Sequence, residues 1–70
     1  MDWNKIYIKN IDADREDLFN EISELGVPFF THKDTHTLIN VTNDQLKKLE
    51  ALKEKYQAQG KTITISKGGI

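Results

Sequence analysis

Lys5, Tyr7 and Lys9 stand at alternate positions of the stretch Lys5-Ile6-Tyr7-Ile8-Lys9-Asn10-Ile11. On a strand, alternate residues share a face. The three would then present one aromatic ring between two ammonium groups. That chemistry suits a nucleobase stacked on the ring with phosphates held beside it. It suits equally a protein interface anchored on a central aromatic. Ile6 and Ile8 take the opposite face, where they can anchor a core, and the same alternation sends Trp3 outward with Tyr7. A second group, His32, Asp34 and His36, brackets a turn and combines two types of zinc ligand, imidazole and carboxylate. Two exposed histidines on a hairpin are the simpler reading, and no metal or other cofactor is expected. Ser23 and Ser66 have no visible His or Asp partner, and the chain has no cysteine. Gly68-Gly69 is terminal rather than part of a phosphate-binding loop. A core built from 70 residues leaves little room for a substrate pocket. The chain therefore reads as no enzyme, with no small-molecule substrate.

These residues need a scaffold, and the totals bound it. Seventy residues make one domain, 1–70, near the size at which a single core is only marginally stable. An apolar fraction of 37% and a charged fraction of 30% fit a folded soluble chain. Without cysteine, neither a disulfide nor a thiolate metal site can support it. No apolar run approaches the roughly 20 residues of a membrane span. Met1-Asp2-Trp3-Asn4 lacks the basic and apolar regions of a signal peptide, so a cytoplasmic location is expected. Charge is unevenly spread. Asp12 to Glu24 holds six acids against Arg15, a local charge of −5; with a net charge of −1, the rest of the chain carries +4.

In chain order, a first strand ends near Ile11. Asp12 and Asp14 are candidate N-caps for a helix over Arg15–Leu25, with Leu18, Ile22 and Leu25 on its apolar stripe. Gly26 suits a left-handed helix end. Val27–His32 reads as an edge strand, since Pro28 forbids helix there. Phe29 and Phe30 point to opposite faces of it, one into the core and one out. After a turn at Lys33-Asp34-Thr35, His36–Val41 forms a third strand. Thr37, Ile39 and Val41 share one face, taken as the core face. His36, Leu38 and Asn40 share the other. Thr42-Asn43-Asp44-Gln45 has the form of a capping box. The helix it opens runs to about Gln59, with Leu46, Leu49, Leu52 and Tyr56 on one stripe. Lys61–Ser66 alternates again, with Ile63 and Ile65 inward, and 67–70 reads as a flexible tail. The order βαββαβ is that of the ferredoxin-like split βαβ fold, class α+β. It implies a four-stranded antiparallel sheet in the order 4-1-3-2, with both helices on one face.

Ile6-Tyr7-Ile8-Lys9-Asn10-Ile11 resembles the first-strand motif of the RNA-recognition-motif family (RRM). Asp17-Leu18-Phe19 with Leu25-Gly26 is similar to that family's first helix, and Gly60-Lys61-Thr62-Ile63-Thr64-Ile65 to its last strand. The resemblance implies the same fold, and base stacking at Tyr7. The family's third-strand motif, which would add two outward aromatics, has no counterpart, because His36 and Leu38 fall at those positions.

Both helices cover one face of the sheet, so the other face is left as the working surface. Its expected members are Trp3, Lys5, Tyr7, Lys9, His36 and Leu38, with one of Phe29 and Phe30. A surface this apolar marks a contact site. The expected function is a small protein-binding module, a regulator or inhibitor docking on a larger protein, or associating with itself. Single-stranded RNA binding through the same face is the alternative.

Overall fold

The structure, a computed structural model, describes residues 3–68. Its elements are β1 (Trp3–Asn10), α1 (Arg15–Ser23), β2 (Phe29–His32), β3 (Thr35–Val41), α2 (Asn43–Ala58) and β4 (Ile63–Gly68). All strand pairs are antiparallel, in the order β2-β3-β1-β4. This is the ferredoxin-like βαββαβ arrangement, with an open sheet and two helices. Lys67 and Gly68 extend β4 rather than beginning a tail; residues 69–70 lie outside the described residues. No helix among the described residues is long and apolar enough to cross a membrane.

The core lies between helices and sheet. Ile6 and Ile8 of β1, Leu18 and Ile22 of α1, Leu49 of α2 and Ile63 of β4 are fully enclosed. Leu46, Leu52 and Tyr56 complete the α2 stripe, while Leu25 and Ile65 are only partly covered. Both helix starts follow from their sequence. Asp14 Oδ1 accepts from the Asp17 N–H at 3.0 Å. The Thr42 hydroxyl accepts from the Gln45 N–H at 3.2 Å, and Gln45 Oε1 accepts from the Thr42 N–H at 2.9 Å. The capping box at the start of α2 is thus complete. Gln45 also donates to the Leu25 carbonyl at 3.4 Å, tying the start of α2 to the end of α1. Thr42→Ala should lower stability by about 1 kcal/mol, read as a drop in melting temperature; an unchanged melting temperature would contradict the cap's role.

The β1–α1 loop is held by a buried amide. Asn10 Oδ1 accepts from the Ala13 N–H at 2.8 Å, and Asn10 Nδ2 donates to the Ala13 carbonyl at 2.9 Å. The Asn10 N–H reaches across to the Asp34 carbonyl at 2.8 Å, joining this loop to the β2–β3 turn. Asp12 accepts from the Thr62 N–H, which fastens the same loop to the entry of β4.

One strand corrects the sequence reading. Leu38 and His36 do not lie on the open face; they are 0% and 6% exposed and sit on the helix side. Leu38 is opposite Ile6 on one side and Phe29 on the other; His36 is opposite Ile8 and Thr31. Residues directly opposite in an antiparallel pair share a face, so the enclosed isoleucines fix both as inward. Thr37 and Ile39 consequently face outward, and Ile39 is half-exposed rather than part of the core. Val41 is nevertheless fully buried, as expected. The cause is Asn40, whose φ of 54° is left-handed. A left-handed residue interrupts the pleat and resets the alternation, so Leu38 and Val41 both turn inward across it.

Trp3 is affected by the same break. It pairs with Val41, is half-buried, and packs on the edge of the core. The Lys67 ammonium lies 5.3 Å from its ring centroid, within cation–π range. Trp3 therefore belongs to the rim of the core more than to the open face.

Candidate functional site

The face turned away from the helices is built in rows by the strand register. Phe30, Thr37, Tyr7 and Ser66 cross all four strands in one row. His32, Thr35, Lys9 and Thr64 form the row on one side of it. Ile39, Lys5 and Gly68 form the row on the other. The structure thus brings Lys5, Tyr7 and Lys9 together as expected and replaces His36 and Leu38 with Thr37, Ile39 and Phe30. None of these row residues is a carboxylate. Six of the eleven acids lie instead on and around α1, from Asp12 to Glu24, and its first turn carries Glu16 and Asp17. An acidic α1 and a basic open sheet result, in a chain of net charge −1.

Tyr7 has a defined seat. A Cβ built on Gly68 would fall 2.7 Å from Tyr7 Cε2, so the ring lies directly against the Gly68 backbone. A half-buried ring held on a glycine loses less freedom on meeting a partner than a loose side chain would. Thr37, beside it, is buried although it faces outward, between the Tyr7 and Phe30 positions. Phe30 itself is 59% exposed. The signal for Phe30 was present in the sequence, which sent one of the two phenylalanines outward. Leu38 settles which one, because it lies opposite Phe29 and faces the core.

His36 sits on the other side of the sheet, under α1. Thr31 Oγ1 lies 2.7 Å from its Nδ1, and the Phe29 ring is edge-on at 6.2 Å. Burial, with the Arg15 guanidinium nearby, lowers its pKa below the ordinary 6.5. His32 and His36 lie on opposite faces of the hairpin, and no group of three metal-ligating side chains occurs among the described residues. The native state holds His36 neutral. Its contribution to stability is therefore present above pH 6.5 and lost progressively as pH falls from there through the lowered native value. Melting temperature should fall between neutral pH and pH 5 more steeply in wild type than in His36→Gln. Parallel curves for the two proteins would contradict this.

Two shallow depressions, of about 270 and 230 Å³, lie between the helices. Asp17, Asn20 and Glu21 of α1 face Lys55 and Tyr56 of α2 and its cap residue Gln59 across the larger one, bridged by Lys55 and Glu21 at 3.6 Å. Burial and the carboxylates of Glu21, Asp17 and Asp14 raise the Tyr56 pKa, so its hydroxyl is protonated at neutral pH. Neither depression touches the open face. No protein-family model, curated protein or solved structure matches this chain.

Proposed function

We propose that this chain is a small non-catalytic binding module that docks on an acidic surface of a larger protein through the open face of its sheet. Tyr7 is the anchor, and Lys5 and Lys9 are its charged flanks. The observation that carries the reading is the composition of that face: a seated aromatic, two ammonium groups, hydroxyls and, among the described residues, no carboxylate. Regulation or inhibition of the larger protein is the activity such a module can exert, since blocking or holding a surface needs no pocket.

Single-stranded RNA is the second reading, favoured by Tyr7 standing between two lysines on one strand. Magnitude decides against it. Two lysines neutralise about two phosphates, which gives a salt slope of only about −1.4. Such a slope supplies little of the electrostatic affinity on which sequence-independent RNA binders rely.

Tyr7→Ala should leave the fold intact by circular dichroism and weaken partner binding by at least about 1 kcal/mol. Gly68→Ala should weaken it too, because the new methyl group displaces the ring from its seat. Affinity measured by calorimetry at two salt concentrations tests both points. Unchanged binding by both variants would place the docking surface elsewhere, and the acidic α1 would be the next candidate.

A further inference from the structure

We propose that two copies of this chain form a two-fold dimer by antiparallel pairing of β2 with β2, Phe30 opposite Phe30. The inference goes beyond the docking reading and does not depend on what the open face binds. It starts from the phase of the hydrogen bonds. The Ile39 N–H donates to the Pro28 carbonyl at 2.9 Å, so residues 28 and 39 are a bonded pair. Bonded and non-bonded pairs alternate along an antiparallel ladder. Phe30 with Thr37 and His32 with Thr35 are then bonded to β3, while Phe29 and Thr31 point their N–H and C=O groups outward.

β2 is an edge of the sheet, so those outward groups meet no other strand among the described residues. Donors and acceptors alternating at the strand repeat are matched by an extended polypeptide, not by a base or a lipid. Edges are usually blunted by an outward charge or proline. Here Pro28 directs its missing N–H toward β3, so the outward ladder stays intact. Large apolar side chains flank the edge on both sides. Phe30 is on the open face, and Phe19, 47% exposed, is on the helix side with its ring 5.4 Å from that of Phe29.

The edge is self-complementary in one register. A two-fold axis normal to the sheet keeps outward residues outward, so Phe30 must oppose an outward residue of the second copy. With Phe30 opposite Phe30, Phe29 of each copy exchanges both bonds with Thr31 of the other. Every outward backbone group of Phe29 and Thr31 is then satisfied. The Phe30 pair becomes non-bonded, the pair type in which side chains approach most closely. The exposed Phe19, packed on Phe29, borders the same edge on its helix side. Charge agrees with this register. Arg15 donates to the Lys33 carbonyl, which places both cations at one end of the edge. Antiparallel pairing carries that end toward the last turn of α1 in the other copy. That turn has Glu24 as its cap and no base, and it is the negative end of the helix dipole.

Sedimentation equilibrium of the full chain tests the dimer. Mass should rise with concentration from 8.1 kDa toward twice that value. Phe30→Lys sets two ammonium groups opposite one another, and Thr31→Pro removes an outward N–H while keeping the β3 backbone ladder, though it also takes the hydroxyl from beside His36 Nδ1. Each should raise the dissociation constant roughly tenfold or more with the circular dichroism spectrum kept. Tyr7→Ala, on the docking face, should leave it unchanged. If Thr31→Pro fails to fold, Phe30→Lys carries the test alone. A wild-type chain that stays monomeric at every concentration overturns the proposal. So does a dimer that neither folded variant weakens, or one that Tyr7→Ala abolishes.

Discussion

Leu38→Ala should destabilise the protein by about 2–5 kcal/mol, the range for truncating an enclosed leucine. Leu38 is fully buried between Ile6 and Phe29 on the helix side of the sheet. A chain of 70 residues has a total stability of roughly 4–10 kcal/mol, so this one change removes much or all of it. Ile39→Ala is the informative control. Ile39 is the next residue, similar in size, but half-exposed on the opposite face. Its truncation should cost clearly less, because its surroundings are already partly water. Urea denaturation of the two variants gives the comparison. A larger loss for Ile39→Ala would mean that the two faces of β3 are reversed.

Asn10→Ala should be nearly as severe, at about 2–4 kcal/mol, although it removes only a small polar side chain. The Asn10 amide satisfies both the N–H and the carbonyl of Ala13, and both residues are buried. Without it, two backbone groups lose their partners where water has little access, and each costs on the order of 1–3 kcal/mol. The same loop is fastened to β4 by Asp12 and Thr62, so its loosening should spread to that strand. Amide hydrogen exchange at Ile63 and Ile65 should accelerate more than exchange in α2. A loss below about 0.5 kcal/mol would show that the amide is dispensable.

Much of the architecture was legible because local signals agreed with one another. Alternating isoleucines marked β1 and β4, the helical stripes marked α1 and α2, and Thr42 with Gln45 marked the start of α2. The element order then fixed the topology and left one sheet face uncovered. What failed was the phase of β3. Val41 does belong to the core, but counting back from it by twos gives the wrong face for every residue before Asn40. Periodicity holds only while the pleat is unbroken. The warning was the residue type, since asparagine is among the few that tolerate the left-handed region. Asn10 was missed in the same way: parity places this polar residue with Ile6 and Ile8, but its bonds to Ala13 needed the structure. The exposure of Phe30 needed Leu38 to be placed first. The seat of the Tyr7 ring needed the pairing of β1 with β4, which brings Gly68 beside Lys5 and its backbone under the ring. No local pattern in the sequence encodes that approach.

The open face, free of carboxylates among the described residues, is the proposed working surface, with a protein as its ligand. The most direct measurement is quantitative affinity capture from the native host with three baits: wild type, Tyr7→Ala, and Lys5→Glu combined with Lys9→Glu. Each bait is confirmed folded and used with and without nuclease. One protein should be retained by wild type, insensitive to nuclease and lost with both variants. An identical set of retained proteins for all three baits, or a partner released by nuclease alone, would contradict that proposal.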